Sequence, residues 1–140
     1  MIQLNIRLRM HCLTRLFVLA VALAVSVSSV RIGSFNLHQY GSKKSANATL
    51  TNVVAEIISD FDLAIIQEIS DVSLKAPYVL FDALNQVSSE NTYTMTLSER
   101  VGRSATKEQF IFFNREATSG LEVVNSYIYA DVQDLFERPP

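Results

Sequence analysis

Apolar positions along the chain follow three rhythms, each predicting a different element. Leu16 to Val25 is an unbroken apolar run of ten, preceded by Arg7, Arg9 and Arg15 and followed by Ser26-Val27-Ser28-Ser29. Strict alternation marks strands. In Arg31–Leu37, Ile32, Ser34 and Asn36 lie on one face and Gly33, Phe35 and Leu37 on the other. Thr92–Leu97 alternates Tyr93, Met95 and Leu97, and Leu121–Tyr129 reads as a further strand. Leu63-Ala64-Ile65-Ile66 and Gln109–Asn114 are nearly continuous apolar runs, as strands buried on both faces are. Helical spacing joins Leu50, Val53, Val54, Ile57, Ile58 and Phe61 behind a cap at Asn47 or Thr49. It returns from Leu74 to Val87, where Pro77 fits only the first turn. Gln39–Ala46 and Val101–Lys107 are polar and read as loops. The predicted order is β-α-β-α-β-β-β, an α/β layered sheet that opens with helical crossovers and continues as an antiparallel meander.

Composition narrows this further. The chain has 140 residues, 49% of them hydrophobic, with 4 Gly and 3 Pro, which excludes disordered, collagen-like and low-complexity classes. A basic segment, a short apolar run and a small-residue stretch make residues 1–29 a secretory signal peptide, with the domain at 30–140. Ten apolar residues rise about 15 Å as a helix, half of a bilayer core; the alternative is a signal anchor extended through Val30. Cleavage removes three arginines and Cys12, leaving nine basic against fourteen acidic residues, a net charge of −5, and no cysteine. A secreted domain of about 110 residues then rests on its hydrophobic core alone. Its net charge excludes a grip on nucleic acid by bulk electrostatics, so any such contact needs local cations or a metal ion. Arg138-Pro139-Pro140 closes no element and helices are available for one sheet face, so the domain reads as incomplete.

Candidate chemistry is sparse. Asn36 ends the first strand and Glu68 follows the buried run, the carboxyl ends where α/β sheets form ligand sites. Hard oxygen donors of this kind suit magnesium or calcium rather than zinc. Gln67 reads as a structural partner at the sheet edge. Glu108, before the strand Gln109–Asn114, is either a solvated charge or a carboxylate that orients a histidine. His38 is the one histidine of the 30–140 domain and offers a base or a phosphate contact. Asn47-Ala48-Thr49 is an N-glycosylation sequon.

These residues, in this order, resemble the N-terminal part of the deoxyribonuclease I family within the endonuclease/exonuclease/phosphatase superfamily. The matching pieces are Ile32-Gly33-Ser34-Phe35-Asn36, Ser45-Ala46-Asn47-Ala48-Thr49-Leu50, Asp62–Glu68, Leu84-Asn85-Gln86, Asn91-Thr92-Tyr93, Val101-Gly102-Arg103 and Lys107-Glu108. The resemblance implies the N-terminal part of a four-layer α/β/β/α sandwich, and metal-dependent hydrolysis of phosphodiester bonds in double-stranded DNA. It implies that Glu68 holds a catalytic magnesium, and that Asn36 helps fix that cation or the scissile phosphate. It makes Glu108 the partner of a general-acid/base histidine beyond Pro140, and Arg138, Arg103 and His38 contacts to phosphate. Calcium as a structural ion, actin as a partner, a monomeric state and secretion without a membrane anchor are further expectations. The fragment alone is expected to be inactive.

Departures from the family pattern bear on substrate. Ser70 stands where the family reads the minor groove with arginine, Thr106 where it stacks a tyrosine, and His38 where it holds phosphate with arginine. The disulfide expected near Asp131–Asp134 is absent. Two rival readings follow: a phosphodiesterase or phosphatase of the same superfamily on a non-DNA substrate, and an inactive secreted binding paralogue.

Overall fold

The computed structural model describes residues 29–88, 92–103 and 107–139. Residues 1–28, which carry the expected signal peptide and Cys12, lie outside the described residues, as do Asn91, Thr106 and Pro140. Among the described residues no helix is long and apolar enough to cross a membrane.

The elements run β1 (Ile32–Tyr40), α1 (Ser42–Ser45), α2 (Ala48–Ser59), β2 (Leu63–Ile69), α3 (Lys75–Val87), β3 (Thr94–Leu97), β4 (Gln109–Asn114) and α4 (Glu116–Ser119). The strands form one mixed sheet in the order β1-β2-β4-β3. β1 and β2 are parallel, in register from Ile32↔Leu63 to Asn36↔Gln67. β4 lies antiparallel to both β2 and β3. The architecture is the expected mixed α/β class.

One face of the sheet carries the core. Ala64, Ile66, Ile111 and Phe113 point from it into a cluster with Val54, Ala55 and Ile58 of α2 and Leu80, Ala83 and Leu84 of α3. That burial, rather than helix propensity, holds the two helices. Gly33 of β1 lies against Phe61, in the turn from α2 into β2: a Cβ there would lie 2.7 Å from the Phe61 ring, so only glycine lets the strand approach. Tyr93 reaches over from the start of β3 and donates its hydroxyl to the Ile58 and Phe61 carbonyls, with the Arg115 guanidinium 4.7 Å above its ring.

Both crossover helices begin with local side-chain caps. Asn47 is the residue that caps α2, its Oδ1 accepting from Leu50 N at 3.1 Å. Before α3, Asp71 accepts from Ala76 N at 2.7 Å and from Ser73 N at 3.0 Å, and Pro77 occupies the first turn. Asp62, in the turn between α2 and β2, is a buried hub. It accepts from Arg31 N at 2.8 Å and from the Thr118 hydroxyl at 2.7 Å.

These two buried aspartates make stability depend on acid. The Arg31 N–H, then the Thr118 hydroxyl and the nearby Arg115 and Arg31 charges, hold the Asp62 carboxyl below the usual range against the opposing effect of burial. For Asp71, burial pushes upward, but the bonds from Ala76, Ser73 and Lys75 outweigh it and the net shift is downward. A lowered folded value means that the unfolded chain takes up protons first. Their stabilisation is therefore complete above about pH 4 and is lost as pH falls through the folded values. Urea midpoints are expected to be level from about pH 7 to 5 and to drop below about pH 4. The pair Asp62→Asn and Asp71→Asn should flatten that drop; an unchanged profile in both variants would remove these groups as its source.

Two expectations from the sequence are corrected, and one element is new. Gln39–Ala46 is not a loop: β1 continues to Tyr40 and residues 42–45 form a helical turn. Tyr40 is drawn in because its side chain is 1% exposed and bonded to the Thr51 hydroxyl at 2.8 Å. α4 was not anticipated; Asn114 and Ser119 are joined side chain to side chain beneath it, at 2.9 Å. Leu121–Tyr129 is not a strand. It has apolar residues enough but no ladder partner, and it crosses the far face of the sheet instead. There residues 122–128, with Leu63, Thr96, Ser98, Phe110 and Phe112, line an open cavity of about 420 Å³. Val124 and Tyr127 are 89% and 80% exposed.

Candidate active site at the carboxyl end of the parallel strands

Parallel pairing brings the ends of β1 and β2 together, and with them Asn36 and Glu68, 32 residues apart in sequence. The Asn36 Nδ2 donates to Glu68 Oε1 at 2.8 Å. The register then breaks: three residues of β1 separate Asn36 from Tyr40, while Glu68 alone separates their partners Gln67 and Ile69. This bulge turns two backbone amides into the site. His38 N donates to Asn36 Oδ1 at 2.7 Å, and Gln39 N donates to Glu68 Oε2 at 3.1 Å. His38, Gln39 and Glu68 all adopt positive φ, at 49°, 60° and 59°. Three non-glycine residues in this region at one spot are a concentration of strain of the kind found at functional sites.

The Glu68 side chain is 29% exposed, and each carboxylate oxygen accepts one protein hydrogen bond, so a lone pair on each is left toward solvent. His38 Nδ1 lies 3.8 Å from Glu68 Oε2, and its ring is otherwise in solvent. Gln67 donates to the Ser34 hydroxyl at 3.1 Å, the structural role expected for it. The Ser70 backbone N–H donates to the Tyr40 carbonyl at 3.0 Å, closing the bulge.

Glu108 stands at the same end of the sheet. The pairing Ile69↔Gln109 sets it beside the rung next to Glu68, and it is 8% exposed. Its carboxylate is paired with the Arg138 Nε at 3.0 Å. Arg103 is likewise engaged, its Nε on Asp134 Oδ1 at 2.8 Å. The two arginines expected at phosphate thus each hold a carboxylate of this chain. Asp131 accepts from Phe136 N and Leu135 N, bonds that hold its carboxyl below the usual range. Asn47 is exposed at the head of α2.

The donor set can be tested against the implied cations. Magnesium takes one or two carboxylates and fills its remaining positions with water and substrate phosphate, and the accessible Glu68 carboxylate meets that demand. Calcium asks for six to eight oxygens, and the described residues gather no group of three acidic, histidine or cysteine side chains. Lys44 of α1, whose ammonium donates to the Leu37 and His38 carbonyls, and the Gln39 amide were not singled out by the sequence. The bulge that brings these groups together leaves no periodic signature, and a mismatch of spacing between two strands is visible only after they are paired.

No protein-family model matches the chain. Among curated proteins it is similar to deoxyribonuclease-1-like 2 of Homo sapiens, 34% identical over 117 residues covering 84% of this chain and 38% of the relative. Deoxyribonuclease-1 of Oryctolagus cuniculus is 38% identical over 138 residues, 95% of this chain and 48% of the relative. Deoxyribonuclease-1 of Homo sapiens is 37% identical over 136 residues, 94% and 47%. Similarity of this degree over most of its length makes the chain a member of the deoxyribonuclease I family, of which it spans less than half the length of the curated relatives it matches.

Proposed function

We propose that this chain forms part of a secreted, magnesium-dependent endonuclease that hydrolyses phosphodiester bonds of double-stranded DNA. The observation that carries the reading is the Asn36–Glu68 pair at the carboxyl ends of two parallel strands, in a chain of this family. Glu68 is the residue that would hold the cation, which when bound neutralises charge on the phosphate and makes water a better nucleophile. Asn36 keeps the Glu68 carboxylate turned toward the strand ends. His38, 88% exposed beside it, is free to meet a phosphate oxygen. Glu108, buried and anionic, is suited to orient an imidazole and to stabilise its charged form. Arg138 and Arg103 reach phosphate by exchanging their present carboxylate partners for it, and a guanidinium fork suits two oxygens. Alone, the 140-residue chain is read as inactive and monomeric. The net charge of −5 for residues 30–140 leaves DNA binding to these local cations and the metal. Actin binding at β3 and a structural calcium are weaker companions of the reading.

Ser70 and Thr106, in place of an arginine and a tyrosine that contact DNA, favour a rival substrate, a non-DNA phosphodiester. One experiment separates the readings. Expressed in mammalian cells at the length of its relatives, the protein is expected in the medium and should lose mass to a peptide-N-glycosidase acting at Asn47. It should also nick supercoiled plasmid in magnesium while leaving sphingomyelin intact. Turnover of sphingomyelin alone would transfer the assignment to the lipid branch, and no turnover of either would leave a binding paralogue.

A further inference from the structure

We infer that Lys44 is a positioning residue for the Glu68 carboxylate, acting through the bulge in β1. The inference rests on the reading of Glu68 as the cation-holding residue. A bulge removes backbone groups from the ladder, and groups so freed need other partners. Here the amides and the carbonyls are served on separate sides. The His38 and Gln39 amides go to Asn36 Oδ1 and Glu68 Oε2. The carbonyls of Leu37 and His38 both go to one group, the Lys44 ammonium, at 3.0 Å and 2.5 Å. Lys44 comes from α1, the helical turn that starts two residues after β1 ends.

The physical consequence is a lever. His38 and Gln39 are held at positive φ without being glycines, so left to themselves they relax toward ordinary backbone angles. That relaxation swings the two amides away from the site. A single ammonium bridging consecutive carbonyls opposes it, because the rotation that turns the amides out also turns the carbonyls off the lysine. Glu68, itself at φ 59°, would then lose one of the two bonds that aim its carboxylate.

A charge role and a positioning role predict opposite signs. If Lys44 acted merely as a nearby cation, Lys44→Met would tighten divalent binding by removing repulsion. If it positions Glu68, the same change weakens binding. Manganese is the probe, followed by its electron paramagnetic resonance in the 140-residue chain, with hydrogen exchange of the His38 and Gln39 amides read in parallel. Expected is a loss of about tenfold or more in manganese affinity for Lys44→Met, the range seen when residues supporting a ligand are removed. Lys44→Arg, which keeps several donors for the two carbonyls, should regain most of it. The Gln39 amide should be protected in the native chain and exposed in Lys44→Met.

Unchanged or tighter manganese binding in a folded Lys44→Met overturns the inference, as does an arginine variant no better than methionine. Should the methionine variant fail to fold, the native and arginine chains decide. Protection of the Gln39 amide in both supports the lever, and rapid exchange in the native chain refutes it. A native chain that binds no manganese defeats the metal reading alone, and the Gln39 amide still tests Lys44.

Discussion

Replacing Glu68 by glutamine, in the protein at the length of its relatives, is expected to lower magnesium-dependent plasmid nicking about a thousandfold, or about 4 kcal/mol of barrier. The substitution keeps the volume, so packing is not the cause. It removes the negative charge that attracts the cation, and it also places an N–H where an acceptor is needed. Both carboxylate oxygens of Glu68 accept hydrogen bonds, from Asn36 Nδ2 and from Gln39 N, so an amide in either orientation faces one of these donors with another donor. Manganese binding to the 140-residue variant should fall below detection in parallel. Nicking within tenfold of the unaltered protein would exclude Glu68 as the cation ligand, whatever the substrate.

The largest stability effect belongs to the sheet centre. Phe113 is fully buried on the helical face and stacks parallel to Phe81, with ring centroids 6.2 Å apart. Phe113→Ala leaves a cavity that α3 cannot close without losing its own contacts, at a cost of about 3–5 kcal/mol. Domains hold about 5–15 kcal/mol in total, and residues 30–140 contain no cysteine to form a disulfide. A loss of that size unfolds a substantial fraction of the chain at body temperature. Urea denaturation followed by circular dichroism gives the value directly. Phe112 provides the contrast: it faces the opposite side, next to the open cavity, and its truncation should cost clearly less. Equal losses for the two would contradict the assignment of the core to the helical face.

Most of the framework was legible because it depends on local regularity. β4 coincides with its apolar run from Gln109 to Asn114, and α3 begins one residue after the Leu74 that periodicity chose. Such elements announce themselves because one face must be buried, and burial imposes a period of 2 or 3.6. Leu121–Tyr129 is apolar enough to read as a strand and yet formed none, since a strand also requires a ladder partner. That segment lies across the far face of the sheet instead, lining the open cavity.

The site divides along the same line. Asn36 and Glu68 could be chosen from sequence because one closes an alternating segment and the other follows a buried apolar run, and α/β sheets gather chemistry at strand ends. Their mutual hydrogen bond could not, since 32 residues and a helix intervene. Arg138 and Glu108 were read separately, one for phosphate and one for a histidine, and the fold pairs them. Charge on a side chain is fixed by its type, whereas its partner depends on which loops the sheet brings together.

By itself the sequence determined the α/β class, the order and faces of most elements, the family, and the residue types available for chemistry. Those follow from local periodicity and from short motifs whose meaning survives out of context. The tertiary structure alone decided the strand order, the two-residue bulge, the left-handed backbone at His38, Gln39 and Glu68, and the carboxylate partners of the arginines. Each of these is a relation between segments distant in the chain. It exists only when burial of the shared core has selected one register among several that local preferences allow.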